Sequence, residues 1–125
     1  MLTLVMGMPN AGKTTYCERL ANVVHLDDRR TIAATCKAMR GIDDVTVDGI
    51  FPTRATRRRL LRAYGGNGKR CIWLDVPYGE CLRRESRGRS SAFFERFRDS
   101  FEPPTLDEGW DEIIVVRGDG YTKDF

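Results

Sequence analysis

Eight residues near the N-terminus have the types and spacing of a phosphate-binding loop. In the segment GMPNAGKT, residues 7–14, two glycines enclose four residues and are followed by Lys13 and Thr14, which is the pattern of a Walker A motif. Glycines let the backbone curl so that successive N–H groups face an anion, and the start of the next helix adds its dipole. The pattern predicts a nucleotide-phosphate site formed by Gly7, Asn10, Ala11, Gly12, Lys13, Thr14 and Thr15.

Two side chains of this loop have separate predicted tasks. Lys13 is expected to reach the β- and γ-phosphates of a nucleotide, and the Thr14 hydroxyl is expected to ligate Mg²⁺. An incidental glycine turn is the alternative. The segment stands between an apolar run and a helical pattern, which is the context that a phosphate loop requires and an incidental turn does not.

Three acidic residues follow predicted strands. Asp27 and Asp28 come directly after the second strand, and Asp48 ends the third. Because the carboxyl ends of parallel strands gather where the phosphate loop lies, Asp27 or Asp28 could take a proton from an attacking hydroxyl or hold Mg²⁺. Asp48 has the position of a second acid near the metal. Capping of the helix or turn that follows is the alternative for each of them.

Arginines are concentrated in residues 83–89, where Arg83, Arg84, Arg87 and Arg89 accompany a single glycine. This composition is typical of a mobile lid rather than a packed element. Arginines on such a lid could neutralise charge on a phosphoryl group during its transfer. A solvated basic loop is the alternative.

The net charge is only +3, but it is unevenly distributed along the chain. Residues 53–70 hold seven Lys and Arg and no acid, whereas eight acids lie from Asp99 onward. A basic middle beside an acidic end predicts a polyanionic partner. For any single arginine a solvated surface position is the alternative.

The elements that must position these residues alternate between strands and helices. Apolar runs predict five strands, at Leu2–Met6, Val23–Leu26, Val45–Asp48, Cys71–Val76 and Ile113–Val116. Helical spacing predicts helices at about 13–23, from Ile32 to Gly41, after a Thr53 cap, after Pro77, and along a stripe of Phe93, Phe94, Phe97 and Phe101. The alternation predicts one α/β domain over residues 1–125, with three layers and a parallel sheet of about five strands.

Several other classes of protein are disfavoured by composition. The chain has no apolar run of the roughly 18 residues that a membrane span needs, and no signal peptide is visible at the N-terminus. Four scattered cysteines and one histidine suggest neither a disulfide framework nor a zinc site. A cytoplasmic location is expected, or a host's cytoplasm if the chain is phage-encoded.

The order of these motifs resembles the polynucleotide 5′-hydroxyl kinase branch of P-loop phosphotransferases, which includes the kinase domain of phage-type polynucleotide kinase–phosphatase enzymes. The pieces that carry the resemblance span nearly the whole chain in the family's order. They are residues 7–14, 26–30, 47–49, 53–54, 57–60, 74–77, 81–88 and 101–104.

The resemblance implies a role for each matching residue. It implies that Lys13 and Thr14 bind the ATP phosphates and Mg²⁺, and that Asp27 is the general base for the acceptor hydroxyl. It also implies that Arg30 contacts the acceptor phosphate. On the lid it implies Arg84 and Arg87 near the donor phosphates, with Arg89 as an alternative to Arg87 because the lid is about one residue shorter here.

The chain departs from the family's pattern on the acceptor side. The family's third strand continues with a small polar residue and an asparagine, whereas Asp48 is followed here by Gly49-Ile50-Phe51. The region between the Asp/Arg motif and the third strand is also shorter. Both departures alter the region that shapes the acceptor pocket.

The leading hypothesis is a Mg²⁺-dependent kinase that transfers the ATP γ-phosphate to a nucleic-acid hydroxyl, most readily the 5′-hydroxyl of DNA or RNA. Arg54 and Arg58, on the basic stretch, are predicted to hold the phosphates of that strand. One alternative keeps the donor chemistry but has a nucleoside, nucleotide, other small molecule or a base hydroxymethyl group in DNA as acceptor. Another is a nucleotide-binding switch without transferase activity.

Overall fold

A six-stranded sheet forms the middle layer of the computed structural model, which describes residues 1–20, 22–117 and 121–124. The strands are β1 (Leu2–Gly7), β2 (Val23–His25), β3 (Val45–Gly49), β4 (Lys69–Asp75), β5 (Glu112–Arg117) and β6 (Tyr121–Asp124). Their order is β2-β3-β1-β4-β5-β6. The first five are parallel, and β6 pairs antiparallel with β5. The predicted α/β fold with five parallel strands is confirmed, and β6 is an addition that the sequence patterns did not predict.

Within the described residues, six helices and one short 3₁₀ turn connect the strands. The helices are α1 (Lys13–Cys17), α2 (Leu26–Arg29), α3 (Ile32–Met39), α4 (Arg54–Ala63), α5 (Tyr78–Arg83) and α6 (Ser91–Ser100), and the 3₁₀ turn is Leu106–Glu108. Helix α1 is shorter than the predicted 13–23. At the end of α1 the backbone hydrogen bonds span three residues instead of four: Glu18 N donates to Thr15 O (3.3 Å) and Leu20 N donates to Cys17 O (2.9 Å). Such 3₁₀-type bonds are typical of a helix end.

The sheet buries both faces, because helices cover each of them. Alternate residues of β1 point to opposite sides, so Leu4 belongs to the core on one face and Val5 to the core on the other. The first core includes side chains from α3 and α4. The second includes side chains from α1, α5 and α6. The three predicted layers are therefore present, with α4 on the opposite face from the helix that follows the phosphate loop.

The basic stretch at α4 is partly neutralised within the fold itself. Arg57 is fully buried, and its guanidinium forms a two-point ion pair with Glu108, at 2.7 Å from Nε and 3.1 Å from Nη2. It also donates to the carbonyl oxygens of Phe51 and Glu102. Burial raises the pKa of Glu108, but the hydrogen bonds from Arg57, the Thr105 N–H and Trp110, together with the charge of Arg57, outweigh it and leave that pKa below its ordinary value. This arginine is a core residue, not part of a basic surface.

The Arg54 guanidinium is also hydrogen-bonded within the fold. Its Nη2 donates to Asp107 (3.1 Å) and its Nη1 donates to Thr105 Oγ1 (2.7 Å). The acids that follow α6 thus pair with the first turn of α4, although about 50 residues separate them in sequence. The uneven charge along the chain therefore serves internal pairing here, and for these two arginines it does not indicate a polyanionic partner.

The remaining sequence predictions on the fold concern cysteines and membranes. All four cysteines are unpaired, and Cys17, Cys71 and Cys81 are buried while Cys36 is half-buried. Among the described residues, no helix has the length and apolar character that crossing a bilayer demands.

Candidate active site

A cleft of about 410 Å³ opens where the phosphate loop, α2 and the segment between α5 and α6 meet. We call the segment 84–90, between these two helices, the lid. The cleft is lined by Pro9, Asn10, Gly12, Lys13, Thr14, Thr15, Asp27, Ile50, Arg84, Arg87, Arg89 and Phe93. It thus brings together the loop, the predicted general base and the predicted lid arginines.

Two glycines allow the loop its shape. A Cβ on Gly7 would lie 2.8 Å from the carbonyl oxygen of Leu74, so only glycine fits between β1 and β4 at this point. Gly12 has a φ of 94°, in the left-handed region that side chains rarely adopt. Asn10 also has positive φ, at 69°. These positions let the chain turn sharply from β1 into α1, with the N-terminus of the helix facing the cleft.

Lys13 lies across the loop. Its Nζ donates to the carbonyl oxygens of Gly7 (3.1 Å) and Met8 (2.9 Å). Burial lowers the pKa of Lys13 to about 8, although the carboxylates of Asp48 and Asp27 oppose that shift. The ammonium group is therefore charged at neutral pH and begins to lose its proton about two pH units earlier than an exposed lysine.

Oxygen atoms suited to Mg²⁺ line the same cleft. Thr14 and Thr15 are exposed at the start of α1, and Asp27 lines the same cleft. Within the described residues no cluster of three or more His, Cys, Asp or Glu could hold a metal alone. This set fits Mg²⁺, which binds few protein ligands and takes the rest from phosphates and water.

Asp48 lies behind the loop and does not line the cleft. It is buried, and its Oδ2 is 2.8 Å from Nδ1 of His25 on the neighbouring strand β2. Burial, and then the nearby Asp48 carboxylate, raises the pKa of Cys17 to about 12. Asp48 is thus surrounded by His25, Cys17 and Lys13, and its predicted role as a direct metal ligand stays a prediction.

Asp27 is carried by the single turn α2 rather than by the end of a strand. It is exposed in the first turn of that helix, which begins at Leu26 directly after β2. Gly49 makes this position possible, because a Cβ there would lie 2.8 Å from Cβ of Leu26. The departure from the family pattern after Asp48 therefore has a packing role, since it lets α2 approach the end of β3.

Glu85 organises the lid, and the sequence patterns did not single it out. Its carboxylate accepts bonds from Asn10 Nδ2 (3.0 Å), from Nε and Nη2 of Arg89, and from the backbone N–H groups of Arg87 and Arg89. Asn10 Oδ1 in turn accepts from Arg89 Nη2 (2.9 Å). Hydrogen bonds from Arg89 and then Asn10 lower the pKa of Glu85 to about 2. Glu85 is the only acid of residues 83–89, which is the signal that could have identified it.

The three lid arginines differ in what they contact. Arg89 is bound by Glu85 and Asn10, and its guanidinium lies 4.9 Å from the ring centroid of Phe93. Arg84 donates to the carbonyl oxygen of Asn10 (3.1 Å), and its Nε lies 3.7 Å from Oε1 of Glu80, at the longer end of ion-pair distances. The Arg87 guanidinium lines the cleft and makes no hydrogen bond or ion pair within the described part of the chain. Arg84 and Arg87 are therefore the lid cations most available to a bound phosphate.

Three predicted substrate-binding arginines are not brought to the cleft. Arg30 is exposed at the end of α2, with a φ of 70°. Arg54 and Arg58 lie on α4, and Arg54 is bonded to Asp107 and Thr105 as described above. Arg58 is exposed on the outer side of that helix. For Arg54 and Arg58 the physical reason is that α4 covers the other face of the sheet.

Comparison with known proteins agrees with this architecture. No family model matches the chain. It is similar to a gluconokinase from Sinorhizobium meliloti 1021, with a TM-score of 0.74 and 14% identity over 95% of this chain and 83% of that one. It is also similar to an unliganded sugar kinase from Janibacter sp. HTCC2649, with a TM-score of 0.68 and 17% identity over 93% and 84% of the two chains.

These likenesses show that the chain has the P-loop kinase fold. They do not extend to the polynucleotide kinase branch in particular, so that finer resemblance stays a prediction.

Proposed function

We propose that this protein is a Mg²⁺-dependent kinase that transfers the γ-phosphate of ATP to a hydroxyl group of a small molecule. One observation carries the proposal: the phosphate loop, Asp27 and the lid arginines Arg84 and Arg87 share one cleft. Its volume of about 410 Å³ falls in the range of small-molecule sites, roughly 300–1,000 Å³.

Each group in the cleft has a defined part in this reaction. Asp27 accepts the proton of the acceptor hydroxyl, whose oxygen forms a bond to the γ-phosphorus. The bond from that phosphorus to the β–γ bridging oxygen breaks, and ADP leaves. Lys13, Arg84 and Arg87 offset the negative charge on the transferred group. Thr14 would hold Mg²⁺, which would add to this charge neutralisation when bound.

Two observations favour a small acceptor over a nucleic acid. Arg54 and Arg57 of the basic stretch already form ion pairs with Asp107 and Glu108, and no residue of α4 lines the cleft. The structures similar to this chain are of a gluconokinase and a sugar kinase. Both observations support the hypothesis of a small-molecule acceptor over the leading hypothesis from the sequence.

A screen of acceptors with γ-labelled ATP and Mg²⁺ tests the proposal. The panel includes sugar acids, glycerol, hydroxy acids, nucleosides and 5′-hydroxyl oligonucleotides, and Lys13→Met serves as the inactive control. We expect label on one or more small molecules at rates well above that control. Label confined to oligonucleotides would establish the polynucleotide hypothesis instead, and tight ATP binding without transfer to any acceptor would establish a nucleotide switch.

A further inference from the structure

A second groove of about 230 Å³ continues from the cleft along α6. We call it the α6 groove. Pro9, Ile50 and Phe93 line both the cleft and the groove. Since Asp27 and Ile50 belong to the same cleft, a molecule with its hydroxyl at Asp27 can extend past Ile50 into the groove.

Most of the groove wall is apolar. It consists of Pro9, Ile50, Pro52, Phe93, Arg96, Phe97 and Ser100. The hydroxyl group of Ser100 donates its hydrogen bond within α6, to the carbonyl oxygen of Arg96 at 2.8 Å.

Backbone carbonyl oxygens beside the groove also accept hydrogen bonds from within the protein. The oxygen of Phe51 accepts from Arg57 Nη1 (2.9 Å), and the oxygen of Pro52 accepts from the N–H of Glu102 (2.8 Å). A polyhydroxylated molecule pressed against this wall would leave hydroxyl groups without protein partners, which costs free energy. An apolar body would instead gain from burial.

Arg96 is the charged side chain of the groove. It is exposed, and its guanidinium forms no ion pair or hydrogen bond with the described residues. Arg98, two positions later on α6, differs because its guanidinium lies 3.4 Å from Asp99 and 4.6 Å from the ring centroid of Tyr78. Arg96 therefore remains available to pair with an anionic group on a ligand.

We propose that the α6 groove is the acceptor subsite, and that its acceptor combines a hydroxyl group with an apolar body and an anionic group. This inference rests on the proposed kinase function and deepens it. The acceptor then differs in kind from the polyols that sugar kinases phosphorylate, although the fold is shared. Ile50 and Phe93 contact the apolar body, and Arg96 pairs with the anion.

Four probe acceptors test the two requirements separately with the full chain and ATP. The probe 4-(2-hydroxyethyl)benzoate has a ring and, at the end opposite its hydroxyl, an anion. Its neutral analogue 2-phenylethanol has only the ring, gluconate has only the anion, and glycerol has neither. We expect the highest kcat/KM with 4-(2-hydroxyethyl)benzoate, by about tenfold or more over each of the other three, since tenfold corresponds to one modest contact. Equal or better turnover of gluconate would overturn the proposal.

Variants assign the effect to the groove. Arg96→Gln should raise the KM for 4-(2-hydroxyethyl)benzoate about tenfold, the loss of a single exposed contact, while kcat and the KM for ATP stay within about twofold. Its effect on 2-phenylethanol should be negligible. Arg98→Gln, on the same helix, is the matched control and should leave all of these values unchanged. Ile50→Thr should reduce the preference for 4-(2-hydroxyethyl)benzoate over gluconate. If Arg96→Gln lowered the kcat/KM for the charged and the neutral probes equally, the result would contradict the proposed subsite.

Binding measurements separate failure of the groove from failure of the kinase function. Saturation-transfer NMR with 4-(2-hydroxyethyl)benzoate and with gluconate needs no turnover. If Arg96→Gln weakens the binding of 4-(2-hydroxyethyl)benzoate, the subsite is supported even if no label is transferred, in which case the kinase proposal alone fails. Stronger binding of gluconate, or binding of 4-(2-hydroxyethyl)benzoate that Arg96→Gln does not affect, overturns the subsite whether or not phosphate is transferred.

Discussion

Two arginine-rich stretches of this chain look alike in sequence but have different surroundings in the fold. In α4, Arg57 is buried against Glu108 and Arg54 is bonded to Asp107. In the lid, Arg84 and Arg87 line the cleft beside the phosphate loop. The first pair connects distant parts of the chain, and the second pair faces the space where phosphates are expected to bind.

The difference shows that the density of arginines does not reveal their purpose. What matters is whether acids from elsewhere in the chain meet them. The acids that follow α6 meet the first turn of α4, whereas the lid has one acid, Glu85, which engages Arg89 and leaves Arg87 facing the cleft. The α4 arginines should therefore control stability, and the lid arginines should control turnover.

Removing the carboxylate of the cleft should give the largest effect on turnover. Asp27→Asn keeps the size of the side chain but cannot accept the acceptor's proton, so kcat should fall about 10²- to 10⁴-fold. Unfolding by urea should be unchanged, because Asp27 is exposed. ATP binding should persist, as measured by equilibrium titration. Turnover near that of the unmodified protein would remove Asp27 from the mechanism.

Breaking the buried pair on α4 should have the converse effect. Arg57→Met leaves Glu108 buried without its partner, which typically costs about 3–5 kcal/mol. Urea unfolding measures this loss, and turnover per folded molecule should stay within about twofold. The double variant Arg57→Met, Glu108→Leu should recover much of the stability, because both charges are then absent. A single variant as stable as the unmodified protein would mean that the pair has no structural importance.

The lid network offers an intermediate test. Glu85→Gln removes the charge that holds Arg89, so the lid should be less well placed and kcat should fall about tenfold, less than the roughly 10²-fold cost of a full 1 Å misplacement. Adding Arg89→Gln should cause little further loss, since both act through one network. Asp99→Asn is the matched control, because Asp99 pairs with Arg98 near the end of α6 and neither residue lines the cleft. Faster turnover in Glu85→Gln would mean that Arg89 acts directly on phosphate once released.

The smallest expected effect is a pH dependence from Lys13. Burial lowers its pKa to about 8, so its charge is present below pH 8 and is lost as the pH rises through that value. The kcat/KM for ATP, which reports on the free enzyme, should fall several-fold above pH 8. Lys13→Arg should be weaker at every pH and should lack this decline, because a guanidinium does not titrate there. A flat profile in the unmodified protein would contradict the lowered pKa.

The same shift has the opposite consequence for stability. The pKa of Lys13 is lower in the folded chain than the ordinary 10.5, so burying the charged lysine destabilises the fold below pH 8. That cost is relieved as the pH rises from about 8 to 10.5.

The parts of the site that sequence alone could predict are those set by local patterns. The phosphate loop is contiguous, and its spacing and the flanking elements identify it without any tertiary information. Asp27 was placed near the loop by the rule that carboxyl ends of parallel strands share one edge, and the cleft includes it. The five parallel strands follow from apolar runs that alternate with helical patterns.

The parts that sequence could not predict depend on distant partners. Helical spacing puts Arg57 on the same face as Leu60 and Leu61, but a buried arginine needs an acidic partner, and that partner is Glu108, 51 residues away. The role of Glu85 depends on Asn10, 75 residues away. Strand β6 lacks a long apolar run and exists because the open edge of β5 can pair with it. Asp48 was expected beside the metal, but its bond to His25 became visible only once β2 and β3 were paired.

We expect the lid arginines, rather than those of α4, to act on the transferred phosphate. This expectation is tested most directly by measuring phosphate transfer in Arg87→Gln and, for comparison, in Arg58→Gln. Both variants remove one exposed charge and should leave the free energy of unfolding within about 0.5 kcal/mol. Arg87→Gln should lower kcat about 10²- to 10³-fold, the usual cost of losing one stabilising group at a developing charge. Arg58→Gln should stay within about twofold of the unmodified protein. Equal losses in the two variants, or a loss in Arg58→Gln alone, would contradict the division of roles between the lid and α4.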